Sequence, residues 1–205
     1  MSSTEPAAPQ GVLVGAGGDP LFLGLGVFCL GATALGMALI GVVPLSALGI
    51  VIPVIALATG LYQIVATIWG ILLGQTAVAG ILGMFSGFWL SLAGLLLGLQ
   101  HGWYGIAAAD VGHAEGLYFI AFAILFFFLL IVSLRLPLIY PVIVAFVVVA
   151  LVLAAIGAEG GSTGALNAAG VAILVFAALG FYAFLSSGSV ALGGKSLPLG
   201  RPIIR

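Results

Sequence analysis

From residue 20 to residue 109 the chain contains no Asp, Glu, Lys or Arg. Only Asp110, Glu115, Arg135 and Glu159 interrupt the remainder before Lys195. Such a chain cannot cover the outside of a water-soluble domain, in which roughly 25% of residues are charged. Here 4% are charged and 64% are hydrophobic, so the outer surface must be solvated by lipid. The apolar runs are continuous and do not alternate, which points to helices and away from a barrel. A helix that crosses a bilayer needs about 20 apolar residues. Breaks at charges, prolines and glycine clusters leave six runs of that kind, at 21–43, 47–73, 76–99, 116–134, 137–158 and 166–192. The expected fold is an all-α membrane protein, a bundle of six transmembrane helices. Residues 1–18 are expected to be a mobile N-terminal tail, 19–194 the helical domain and 195–205 a cytoplasmic C-terminal tail.

Charge tests this count. With six spans, Arg135, Lys195, Arg201 and Arg205 fall on one side of the membrane. Asp110, Glu115 and Glu159 fall on the other, in or beside the longest loop and the loop between spans five and six. Five or seven spans would scatter this sorting unless the miscount lay before Arg135. Cations mark the cytoplasmic side, so both termini are expected inside, in a multi-pass protein of the cytoplasmic membrane. The start, MSSTEPAAPQGVLVGAGG, lacks the basic region of a secretory signal.

The same scarcity excludes several functions. A net charge of −1 provides no basic face for nucleic acid. No span carries the arginines of a voltage sensor or a carboxylate at mid-depth for a proton relay. His101 and His113 lie in the loop 100–115, so an intramembrane metal site has no ligands. Ser86-Gly87 could suggest an intramembrane hydrolase, but no histidine in a span could act as its base. There is no nucleotide loop and no paired-cysteine motif, so neither a cofactor nor an enzyme is expected. The single cysteine, Cys29, reads as core packing.

Two features lie inside the spans. In span three, Gly80, Gly83, Gly87, Ser91, Gly94 and Gly98 recur every three or four residues along one helix face. Such a face serves close helix packing or leaves room for a narrow path. In span two, Thr59, Gln63 and Thr67 stand at i, i+4 and i+8 and share a face. An amide and two hydroxyls in hydrocarbon must be satisfied. They act either as glue between helices or as hydrogen-bonding groups for a polar solute. Bulky rings beside glycine faces, Phe28, Phe85 and Tyr182, can narrow a path.

These residues together resemble the acetate uptake transporter family, of the succinate–acetate permease type. Its first span opens with N-P-A-P-L-G-L and a following Gly-Phe. Here Asp19-Pro20-Leu21-Phe22-Leu23-Gly24-Leu25 is followed by Val27-Phe28. Gly60-Leu61-Tyr62-Gln63 resembles its G-G-I-A-Q, Gly74-Gln75-Thr76 its G-N-T, and Phe85-Ser86-Gly87-Phe88-Trp89-Leu90 its Y-G-S-F-W-L. The segment Gly194–Gly200 resembles its closing G-R-x-x-L-P-x-G. The pattern runs in order over residues 19–200, as in a divergent member.

The resemblance implies six-helix protomers assembled as a homohexamer, each with a path for acetate and related small carboxylates. Transport in the family is described as proton-linked or as anion channelling. The constriction maps to Phe28, Phe85 and, in span five, Val147. Phe85 replaces a tyrosine and removes a hydroxyl from that level. Solute-binding candidates are Thr59, Gln63, Thr67 and Tyr182, and the entrance motif is Asp19, Pro20, Gly24 and Leu25. With no buried cation, a carboxylate would rely on these groups and on helix N-termini. Alternatively it would cross as the neutral acid, a form that is about one molecule in a thousand at pH 7 for a pKa near 4. A channel for a small neutral solute such as ammonia, and an assembly protein without transport, remain the alternatives. Asp19-Pro20 also reads as a helix cap, with Asp at the N-cap and Pro at the first helical position.

Overall fold

The computed structural model describes residues 17–204, and among them there is no strand. Six helices are long and apolar enough to cross a membrane. They are α1 (Pro20–Leu39), α2 (Leu45–Leu72), α3 (Thr76–Gln100), α4 (Val111–Ser133), α5 (Ile139–Gly160) and α6 (Thr163–Ala191). All six expected spans are present. Residues 1–16 of the expected N-terminal tail lie outside the described residues, as does Arg205.

Neighbours pack around a ring. Helix α1 lies between α6 and α2, α2 packs on α3, and α4 and α6 pack on either side of α5. The joint between α3 and α4 is the loosest and is bridged by side chains. Tyr118 donates to the Phe88 carbonyl at 2.9 Å, and its oxygen lies 2.9 Å from Ser91 Oγ. The ring arrangement leaves the aromatic side chains of α1, α3, α4 and α6 facing a common interior.

Chain direction sorts the charges as expected. One end of the bundle holds Asp19, Arg135, Lys195 and Arg201, and the opposite end holds His101, Asp110, His113, Glu115 and Glu159.

Helix α2 is irregular for a local reason. Pro53 lacks the N–H that an α-helical ladder requires. The helix opens with a 3₁₀ segment, Leu45–Ile50, and continues from Val54 to Leu61 with the wider π geometry. This irregular part carries Thr59, whose hydroxyl donates to the Val27 carbonyl of α1 at 3.0 Å. Gly31 makes the approach feasible, since a Cβ there would lie 2.4 Å from Thr59 Oγ1.

The start of span four changes. The apolar run places the start of span four at residue 116, yet α4 starts at Val111. Gly112 packs so closely on the end of α5 that a Cβ would stand 2.6 Å from the Ala158 carbonyl oxygen. Packing thus extends the helix past the apolar run and takes Glu115 out of the loop. The C-terminal segment also folds back onto the bundle. Leu197 N–H donates to Ser186 Oγ at 3.0 Å, and Ile139 N–H donates to the Leu199 carbonyl at 3.1 Å. Ile203 and Ile204 N–H groups donate to the Leu134 carbonyl at 3.1 and 3.0 Å. The segment therefore caps the end of α4 and the start of α5 with groups that those helices leave unpaired.

The glycine face of α3 divides along its length. Gly83 meets Thr67, and Gly98 makes room for Tyr104, whose hydroxyl donates to the Gly94 carbonyl at 2.8 Å. At Gly80 and Gly87 a Cβ would meet no atom within 4 Å, so that part of the face packs on nothing within the protomer.

Candidate functional site

Two cavities follow one another along the bundle interior. The larger, about 180 Å³, occupies the half nearer Glu115 and is bordered by Leu39, Leu92, Ala154 and Phe176 among others. The smaller, about 90 Å³, occupies the half nearer Asp19 and is bordered by Leu21, Leu25, Gln63, Leu136 and Tyr140. Phe28 and Phe85 are the two residues that border both.

The rings between the cavities are locked by other rings. Phe28 and Phe85 meet edge to face with centroids 4.9 Å apart. Phe85 stacks on Phe126 of α4 at 4.5 Å, and Phe28 stacks on Phe176 of α6 at 5.5 Å. Trp89 meets Phe28 at 6.3 Å. Edge-to-face and offset stacks at these spacings hold rings in fixed orientations. Val147 of α5 is buried and borders the larger cavity. Of the three residues expected at the constriction, Phe28 and Phe85 meet between the cavities, and Val147 borders the larger one.

The polar stripe of α2 separates into distinct roles. Thr59 is wholly buried and spends its hydroxyl on the α1 carbonyl of Val27. Thr67 donates back to the Gln63 carbonyl of its own helix at 2.7 Å and borders neither cavity. Gln63 is wholly buried and borders the smaller cavity. Its Nε2 lies 3.5 Å from the Gly24 carbonyl, at the limit of a hydrogen bond, and its Oε1 has no partner among the described residues. Tyr182 is half-exposed, borders neither cavity, and donates to the Pro198 carbonyl at 3.2 Å. Its hydroxyl holds the returning C-terminal segment. Gln63 is thus the member of the expected binding set that borders a cavity.

The entrance motif is also resolved residue by residue. Asp19 Oδ1 accepts from Leu21 N–H at 2.9 Å, with Asp19 in extended geometry at the N-cap and Pro20 as the first helical residue. Its Oδ2 accepts from the hydroxyl of Ser187 on α6. Asp19 therefore caps α1 and ties it to α6, and it borders neither cavity. Gly24 lets Leu82 of α3 approach, because a Cβ there would lie 2.5 Å from Leu82 Cδ2. Leu25 borders the smaller cavity directly.

Sequence reasoning missed four contributors. Phe126 and Phe176 back the two central rings, and nothing in the runs AFAILFFFLL or AILVFAALG marks which phenylalanine turns inward. Trp89 borders the larger cavity and is buried with Nε1 unpartnered among the described residues. Glu115 borders the same cavity, amid a wall that is otherwise hydrocarbon. Ser86, by contrast, donates to the Gly60 carbonyl at 2.8 Å as a buried link between α3 and α2. No group of three or more His, Cys, Asp or Glu residues able to hold a metal occurs among the described residues.

The model of the GPR1/FUN34/yaaH family matches residues 6–191. Among solved structures, the fold is similar to one described as the structure of the bacterial acetate channel SatP, with a TM-score of 0.78 and 23% sequence identity. That similarity covers 89% of this chain and 98% of the other. No curated protein sequence matches.

Proposed function

Because this chain belongs to the GPR1/FUN34/yaaH family, we propose that it passes acetate and related small monocarboxylates along the interior of each protomer. The observation that supports this most is the pair of cavities in succession with only Phe28 and Phe85 common to both. Such an arrangement suits a small solute that crosses a narrow waist between two chambers. The fold shared with an acetate channel agrees with it. The protein acts as a transporter or channel and not as an enzyme. The waist consists of Phe28, Phe85 and Val147.

The species crossing the waist is the neutral acid, so transport is proton-linked. An anion presents only acceptors, and bringing it unpaired into a hydrocarbon wall is very costly. A neutral carboxylic acid presents one donor and one acceptor. Among the described residues, two that border the cavities carry unpartnered buried groups, an acceptor, Gln63 Oε1, and a donor, Trp89 Nε1. Turned toward the cavities by a side-chain rotation, they would complement the neutral acid on either side of the rings.

Protomers assemble as a homohexamer in the cytoplasmic membrane, with the end bearing Arg135, Lys195 and Arg201 in the cytoplasm by the distribution of cations. The open part of the α3 glycine face and the exposed apolar faces of α2 and α4 are available to neighbouring protomers or lipid.

Uptake of labelled acetate into liposomes containing the purified protein tests the reading. Saturable uptake above empty liposomes, faster when the outside is acidic, is expected. Absence of saturable uptake with and without a pH gradient would refute it.

A further inference from the structure

We propose that Glu115 is a charge filter at the mouth of the larger cavity, which when ionised repels anions and when protonated no longer does. Among the described residues, the rest of the cavity wall is made of hydrocarbon and aromatic side chains, so this carboxyl is its sole ionisable group there. It stands in the second turn of α4, at the end of the cavity farthest from Phe28 and Phe85. Low-polarity walls concentrate the field of a lone charge on the space between them. An approaching carboxylate meets this field before it meets any unpaired donor.

The surrounding charges do not neutralise the carboxyl. At this end of the bundle the titratable groups are Asp110 before α4, His113 and Tyr118 on α4, Glu159 at the end of α5, and His101 and Tyr104 after α3. His113 and Glu159 pair with each other at 3.1 Å, and both are largely exposed. The elements that complete the rim contribute Leu39, Leu45, Leu48, Ala158 and Leu166, none of which is ionisable. No Lys or Arg lies at this end among the described residues. Glu115 is thus the group whose ionisation makes the inside of the mouth negative.

The inference rests on the transport reading only for its consequence for acetate, and a labelling experiment separates the two. A cysteine introduced by Ala154→Cys, on the cavity wall, is treated with an anionic methanethiosulfonate (the sulfonatoethyl reagent) and a neutral one (the methyl reagent). The parent protein, in which Cys29 is fully buried, supplies the background. The ratio of the two rates removes the pH dependence of the thiol. At neutral pH the anionic reagent is expected to be slower with Glu115 than with Glu115→Gln, relative to the neutral reagent. The expected factor is roughly fivefold, as for like charges about 4 Å apart in a water-like medium. It should vanish at a pH low enough to protonate Glu115, and Glu115→Lys should invert it. Glu159→Gln should leave it unchanged. An equal ratio with and without Glu115, or failure of both reagents to reach Ala154→Cys, overturns the filter. In liposomes, the flux of Glu115→Gln divided by that of the parent should stay level with pH, because the neutral acid carries no charge for the filter to repel. If the labelling ratio responds to Glu115 and no acetate enters, the filter stands and the transport reading falls.

Discussion

The Phe28 and Phe85 rings meet edge to face with centroids 4.9 Å apart, and they stand between the two cavities of the bundle. Each is braced from behind, Phe28 by Phe176 and Phe85 by Phe126. A waist braced in this way has its width set by packing rather than by loop motion. Truncating either ring should therefore merge the cavities. Phe85→Ala is expected to raise acetate uptake several-fold in liposomes and to admit longer monocarboxylates that the parent excludes. The accompanying loss of stability, about 3–5 kcal/mol by the precedent of buried Phe→Ala changes, should appear as a lower unfolding temperature in detergent.

Gln63 and Trp89 border the cavities, and each carries one buried atom without a partner among the described residues, Oε1 and Nε1. Removing a single neutral hydrogen bond to the solute should slow uptake by roughly twofold to tenfold. Gln63→Leu and Trp89→Phe are each expected to show that loss in the rate of labelled acetate uptake. Their unfolding temperatures should fall by far less than that of Phe85→Ala, since neither Oε1 nor Nε1 bonds to another described residue and the Gln63 Nε2 contact with the Gly24 carbonyl is at the limit of a hydrogen bond. An unfolding temperature that falls as far as that of Phe85→Ala would show these groups to be structural.

Asp19 joins two helices through one carboxylate, with one oxygen on its own helix start and the other on Ser187. Asp19→Ala removes the cap and should destabilise by about 0.5–2 kcal/mol. Asp19→Asn keeps a capping oxygen and should cost less. In a double-mutant cycle, Asp19→Ala and Ser187→Ala should couple by about 0.5–3 kcal/mol, as residues in direct contact do. Additive effects in thermal unfolding would dissolve the link.

Glycines that look alike in sequence should respond differently. At Gly31 a Cβ would lie 2.4 Å from Thr59 Oγ1, and at Gly180 it would lie 2.7 Å from Cys29 Sγ. Gly31→Ala and Gly180→Ala force helices apart and should cost about 1–3 kcal/mol, as overpacking does. Gly80→Ala and Gly87→Ala meet no atom within the protomer and should leave its unfolding unchanged. If either shifts the oligomer distribution on size-exclusion chromatography, the open glycine face is a contact between copies.

The expected polar stripe shows how far sequence reasoning reaches. Thr59, Gln63 and Thr67 do lie on the inner part of α2, because helical spacing is a local property. Their roles diverge through their neighbours. Thr59 finds a carbonyl on α1, Thr67 finds one on its own helix, and Gln63 finds a cavity. Tyr182 reads in the sequence as a solute-facing ring, but the returning Pro198 takes its hydroxyl. That contact joins segments sixteen residues apart across a tail, and no periodicity within a span could announce it.

The sequence by itself determined that the chain spans a membrane, that it does so six times, and which charges share an end. Each of these depends on hydrophobicity, run length and order, and all three are written along the chain. Only the tertiary structure decided which rings meet, where the cavities lie, and that Glu115 belongs to a cavity wall rather than to a loop. The physical reason is that lipid and protein interior are equally apolar. A helix that is hydrophobic all round carries no stripe to show which face turns inward, so the inward face is selected by close packing at residues such as Gly31, Gly112 and Gly180.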